Sequence, residues 1–290
     1  MLVAETINKR NKKDGAVAAD LFELFLEESQ RLMQVVGLSA KGISIIRTMP
    51  KVEEALAKVK GDSGNEKLKE RALRADEEAK LAERECDDDF PLLHGWAIIG
   101  LWALLEDLIK GFIAEWLKCN KSARSVEEVK RLKIRLGEYE SVPKGERYLF
   151  VAELLEKEIG AGARAGTTRF EALLRPFGLS GEVPEIIQRL IFEMGQVRNL
   201  IAHRGGRVDR AFKTACPWMP FKIGSQLTVS RHMWRAYYGA VHIYVTILIC
   251  RAGSKSGKDM TEHFAVCFEG AAELASNQPF QRTPMKRRRP

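Results

Sequence analysis

No CxxC pair, no apolar run of membrane-spanning length and no internal repeat stands in these 290 residues. Each absence removes a class. Five cysteines (Cys86, Cys119, Cys216, Cys250 and Cys267) are widely spaced and odd in number, which argues against a zinc ribbon or a disulfide-stapled secreted domain. Nothing ahead of them reads as a secretory leader, so reduced thiols in a cytoplasmic protein are expected. The longest uncharged runs, residues 91–105 and 236–250, are each about 15 residues, against the roughly 20 that a helix needs to cross a bilayer. They read as buried core helices, and no membrane partner is expected.

What is present is ordinary in amount and uneven in placement. Hydrophobic residues make up 45% and charged residues 30%, as in soluble globular chains. The net charge is +8, but through Asp89 there are 16 Lys or Arg against 19 Asp or Glu, and after it 31 against 20. An anionic partner therefore suits the second part better than the first.

Apolar spacing predicts helices throughout. Residues 16–36 place Leu21, Phe22, Phe25, Leu26, Leu32, Met33 and Val36 on one stripe. A second helix starts at Pro50 and is broken by Gly61-Asp62-Ser63-Gly64. Residues 65–86, rich in Ala, Leu, Glu, Lys and Arg, read as an exposed helix ended by Asp87-Asp88-Asp89 and Pro91. A domain boundary is expected there, dividing a charged helical region (1–89) from a helical domain (90–252) and a C-terminal extension (253–290) that ends in a basic tail. Residues 92–117 are apolar nearly all round, the pattern of a helix inside a bundle. Ser125-Val126-Glu127-Glu128 has the form of a capping box and predicts a basic helix through Leu136, whose Lys130 and Arg131 are candidates for steering an anionic polymer. Helices follow over 146–159 and 169–177. The glycine-rich 160–166 stretch between them follows a helix, not a strand, and has no nucleotide-binding spacing. Pro184 opens a helix with Ile186, Ile187, Leu190, Ile191, Met194 and Val197 on one face. A short strand is expected at 226–229, and Ser230 caps a last core helix to about Arg251.

The chemistry concentrates in Arg198-Asn199-Leu200-Ile201-Ala202-His203, where the Pro184 helix meets Arg204-Gly205-Gly206. Arg198 offers a planar fork of donors to phosphate oxygens, His203 offers an imidazole, the side chain best suited to shuttle a proton near neutral pH, and Asn199 can orient either. That set suits RNA cleavage by the substrate's own 2′-hydroxyl, without metal or other cofactor. On an ideal helix Arg198 and His203 stand about 140° apart, so one helix does not aim both at one atom; a second copy across a two-fold axis would. The plainer role for these residues is to complement the negative end of a helix dipole. Elsewhere, His242 and His94 read as structural, and His232 and His263 lack a ligand-spaced partner.

The stretch from Gln196 to Asp209 resembles the signature of the HEPN superfamily, an arginine followed four to six residues later by a histidine, often with a polar residue after the arginine. The likeness extends over about residues 90–251. It includes the acidic centre Glu106-Asp107 of an aromatic-rich helix, the Phe177-Gly178-Leu179 turn, and a closing helix with Tyr237, Tyr238 and Tyr244. It implies an all-α, HEPN-like up-and-down bundle acting as a symmetric homodimer. It further implies a metal-independent endoribonuclease of antiphage defence or a toxin–antitoxin system, with an antitoxin or defence protein as a further partner. Arg198 and His203 would be its catalytic pair, Asn199 their support and Glu106 the matching acid, with Asp107 left open in its place; Arg204 and Arg207 would add to RNA binding. Relatives modified by a nucleotidyltransferase antitoxin carry a tyrosine after the histidine, where this chain has Arg204-Gly205-Gly206. The alternatives are a catalytically silent HEPN-like module that binds RNA or a nucleotide, and a purely structural helical adaptor.

Overall fold

The computed structural model describes residues 16–60 and 66–277. Among these the chain forms twelve α-helices. Four long ones come first, α1 (Ala16–Ile46), α2 (Met49–Lys60), α3 (Glu66–Asp87) and α4 (Pro91–Cys119). A broken stretch holds α5 (Glu127–Lys130) and α6 (Leu136–Ser141), and then come α7 (Arg147–Glu158), α8 (Thr167–Leu174), α9 (Glu185–Arg204) and α10 (Arg210–Ala215). The chain closes with α11 (Arg231–Lys255) and α12 (Thr261–Ser276). The Gly61–Gly64 break and the basic tail lie outside the described residues. No described helix is long and apolar enough to cross a membrane.

Helix α4 is the axle. Ile98, Leu101, Leu105, Ile109, Ile113 and Leu117, three or four residues apart, are wholly buried, and α1, α7, α9 and α11 all pack against it. Enclosing each such side chain contributes roughly 1.5–3 kcal/mol. Pro91 occupies the first turn, where its missing N–H costs nothing. The turn before it is strained, because Asp89 and Phe90 both have left-handed backbone, at φ 60° and 57°. Helix α11 holds that turn in place: the Asp89 carboxylate accepts from Arg231 N at 2.8 Å and pairs with the Arg231 guanidinium at 3.1 Å.

The expected boundary at Asp89 is this turn, but the core continues across it. Phe22, Phe25 and Val36 of α1 belong to the same buried cluster as α4, α9 and α11, and the Phe22 ring lies 5.3 Å from that of Phe112. A polar contact crosses the α1–α11 seam, with fully buried Ser29 Oγ 3.1 Å from His242 Nε2. Phe25 and Tyr238 pack against the imidazole. Burial lowers the His242 pKa to about 4. His242 is thus a satisfied interface residue. His94 is likewise structural, buried with Nδ1 3.3 Å from Val229 O.

Two expected elements take another form. The capping box does not form: Ser125 ends a 3-10 turn, extended Val126 precedes α5, and that helix is one turn long instead of reaching Leu136. Val126, Val129 and Leu132, which pack on the core, recur every three residues. Beyond Leu132 the next apolar side chains, Ile134 and Leu136, are exposed, so no buried face carries the helix on. The strand expected at 226–229 reduces to one bridge, Arg207 to Gln226, because the facing segment between Gly205 and the start of α10 is too short for a ladder.

Two outcomes follow. Phe25→Ala should lower the stability of the whole molecule by about 3–5 kcal/mol, as one urea transition seen alike by circular dichroism and tryptophan fluorescence; two separate transitions would show that α1 unfolds independently. For His242, the unfolded imidazole protonates near 6.5 and the folded one only near 4. Between these values the unfolded state alone gains the proton, so stability falls as pH drops, by about 3 kcal/mol in all. His242→Gln should lose less stability than wild type between pH 7 and pH 4; an identical loss would refute this linkage.

Candidate functional site

Helix α9 carries the motif. Its face of Ile187, Leu190, Ile191, Met194, Val197 and Leu200 is buried, and it lies antiparallel to α4. Two close approaches fix that register. At Gly195 a Cβ would come within 2.9 Å of the Trp102 ring, and at Gly95 a Cβ would come within 3.3 Å of Ile201. The helix stops where left-handed Gly205 (φ 58°) returns its N–H to Leu200 O. Gly206 N reaches the same carbonyl at 3.1 Å. Gly206 is itself left-handed at φ 78°, and a side chain there would strike the Gln226 amide that caps Gly205 O at 2.8 Å.

This stop brings Arg198, Asn199, His203, Arg204 and Arg207 to one end of the molecule. Arg198 is half-buried and its Nη1 donates to Asn199 Oδ1 at 2.9 Å. Its Nε is shielded from solvent and has no partner. Asn199, His203, Arg204 and Arg207 are exposed, and among the described residues His203 has no hydrogen-bond or ion-pair partner. Arg204 pairs loosely with Asp209 at 3.8 Å. The arrangement offers an anion-binding fork braced by an amide and, on another face of the same helix end, an imidazole open to solvent.

Other expected members stand apart. Glu106 lies one turn beyond Trp102, level with the middle of α9 instead of its end. It pairs with Arg169, which also donates through Nε to Glu156 at 2.7 Å. Lys110 completes the network by pairing with Glu156 at 3.2 Å rather than with Glu106. Asp107 is exposed. Lys130 and Arg131 are at or just beyond the end of α5, beside Leu117 near the far end of α4; 22 residues of helix separate Leu117 from Gly95, roughly 33 Å. Arg131 also pairs with Glu127 at 3.0 Å.

One group beneath the motif was not anticipated. Glu193 is only 5% exposed. It accepts from Arg189 Nε at 2.9 Å, from Trp218 Nε1, and from the Tyr237 hydroxyl at 3.5 Å. Burial raises its pKa despite these donors. Burial and the Glu193 charge push the neighbouring Cys216 thiol up to about 12 and raise Tyr237 well above its ordinary value. The sequence signal was a carboxylate three residues after Leu190 and four before Val197, inside an apolar stripe.

Compared with protein-family models, curated proteins and solved structures, the chain matches none. The fold and the site therefore define an all-helical protein with a basic, histidine-bearing helix end.

Glu193→Ala removes a buried carboxylate shared by Arg189, Trp218 and Tyr237 and should cost about 3–5 kcal/mol, whereas Glu193→Gln keeps an acceptor and should cost less. Denaturant unfolding measures both, and equal losses would reduce the network to simple packing.

Proposed function

We propose that this chain is a metal-independent endoribonuclease of HEPN type, acting as a homodimer in antiphage defence or as the toxin of a toxin–antitoxin pair. The observation that carries the reading is the Arg198 guanidinium, half-buried, braced by Asn199 and with donor capacity unspent, on the same helix end as solvent-open His203. In this mechanism His203 takes the proton of a ribose 2′-hydroxyl as its oxygen attacks the adjacent phosphorus. The bond to the 5′-oxygen breaks, and that oxygen recovers a proton. The products are a 2′,3′-cyclic phosphate and a 5′-hydroxyl. Arg198 neutralises charge on the phosphate oxygens as the fifth bond forms. Arg204 and Arg207, on the same end, hold the flanking phosphates. A second α9 end facing the first would supply the histidine of one copy to the arginine of the other, answering the 140° divergence.

A catalytically silent binding module is the second reading. It is favoured by Glu106 being engaged with Arg169, and by the exposed row of Val52, Leu56 and Val59 on one face of α2, a surface suited to a protein partner.

Purified protein should cleave single-stranded RNA in the presence of a chelator and leave cyclic-phosphate ends. His203→Ala should lose about 10²–10⁴-fold of that rate with an unchanged fold. RNA binding that weakens with salt, without cleavage under any condition, would replace the nuclease by the silent module.

A further inference from the structure

A second feature lies beside the motif but does not depend on it. Between α1, the start of α4 and the start of α11 is a cavity of about 610 Å³, within the roughly 300–1,000 Å³ typical of small-molecule sites. Met33, Ala40 and Ile45 line it with accessible apolar surface, over a floor of buried Val36, Phe90 and Trp234. Three cations line it, Lys41, Arg231 and Arg235, and no Asp or Glu does. Arg231 is committed to Asp89. Lys41 from α1 and Arg235 from α11 are exposed and have no ion pair or hydrogen bond among the described residues. An apolar hollow with two unmatched cations at its rim complements a molecule with an apolar body and one anionic end.

We propose that this cavity binds a medium-chain aliphatic carboxylate, its hydrocarbon against the α1 and α11 side chains and its head between Lys41 and Arg235. A nucleotide fits less well. Phe90 and Trp234 are 6% and 1% exposed, so neither offers a free ring face for base stacking. Occupancy would be felt near the motif, because His94 lines the cavity and the next residue, Gly95, lies against Ile201, two positions before His203.

Calorimetric titration of the full chain with decanoate, below its micellar range, tests this. Saturable binding of one decanoate per chain is expected, weakened at least tenfold by Lys41→Glu or Arg235→Glu. Gly37 lines the cavity, and a Cβ there meets nothing within 4 Å. Gly37→Phe should therefore fill it and abolish binding while the helix, relieved of a glycine, stays at least as stable in thermal unfolding. The proposal is overturned by the absence of saturable heat, by decanol binding as tightly as decanoate, or by decanoate binding unchanged in Gly37→Phe. Adenosine monophosphate binding where decanoate does not, with Gly37→Phe blocking it, would assign the cavity to nucleotides instead.

Discussion

Helix α4 is apolar over most of its circumference, and burying that surface is the constraint that α4 imposes on everything around it. Sealing Ile98, Leu101, Leu105, Ile109 and Ile113 from water takes several neighbours over one broad face, while Leu92, Trp96, Ala103 and Asp107 stay exposed. The chain supplies them from both its halves, α1 from before the Asp89 turn and α7, α9 and α11 from after it. Two left-handed residues in succession are tolerated at that turn because Arg231 holds the Asp89 carboxylate in place. Burial on the scale of the α4 core outweighs a local backbone cost of about 1–3 kcal/mol per residue.

Helix α9 serves two needs along its length. Its first part is committed to packing, with an apolar face against the core and Glu193 tied to Arg189 one turn before it and to Trp218 and Tyr237 from later segments. Its last turn keeps only Ile201 on the core. The glycine stop, held by Gln226, leaves Asn199 and His203 in solvent on a support whose position is fixed from beneath. Reactive side chains on a rigid element keep their geometry better than those on a loop, because packing has already ordered the backbone that carries them.

Much of this was legible in the residues. The stripes of α1 and α9 followed from 3.6-residue spacing, the core places of α4 and α11 from their uncharged apolar runs, and Ser230 accepts from Met233 N as a capping serine should. The proline and glycine pair bracketing α9 marked its ends. Where reading failed, a tertiary contact competed with a local signal. The four-residue Ser125–Glu128 pattern looked like a helix start, but Val126, Val129 and Leu132 are drawn into the core while Ile134 and Leu136 beyond them stay exposed. Glu193 sat in an apolar stripe, and only the fold shows that an indole, a phenol and a guanidinium converge on it.

The residues alone determined where the long helices of the core form, which of their residues are apolar, and that a guanidinium, an amide and an imidazole gather at the end of α9. These are local properties, set by spacing, by the backbone freedom of glycine and by the fixed φ and missing N–H of proline. The tertiary structure decided who meets whom. It gave Glu106 to Arg169, paired Ser29 with His242, and put Lys130 and Arg131 at the opposite end of α4 from His203. Periodicity states that a face must be buried, not against what. That choice depends on how several helices fill one volume together, which no single stretch of sequence contains.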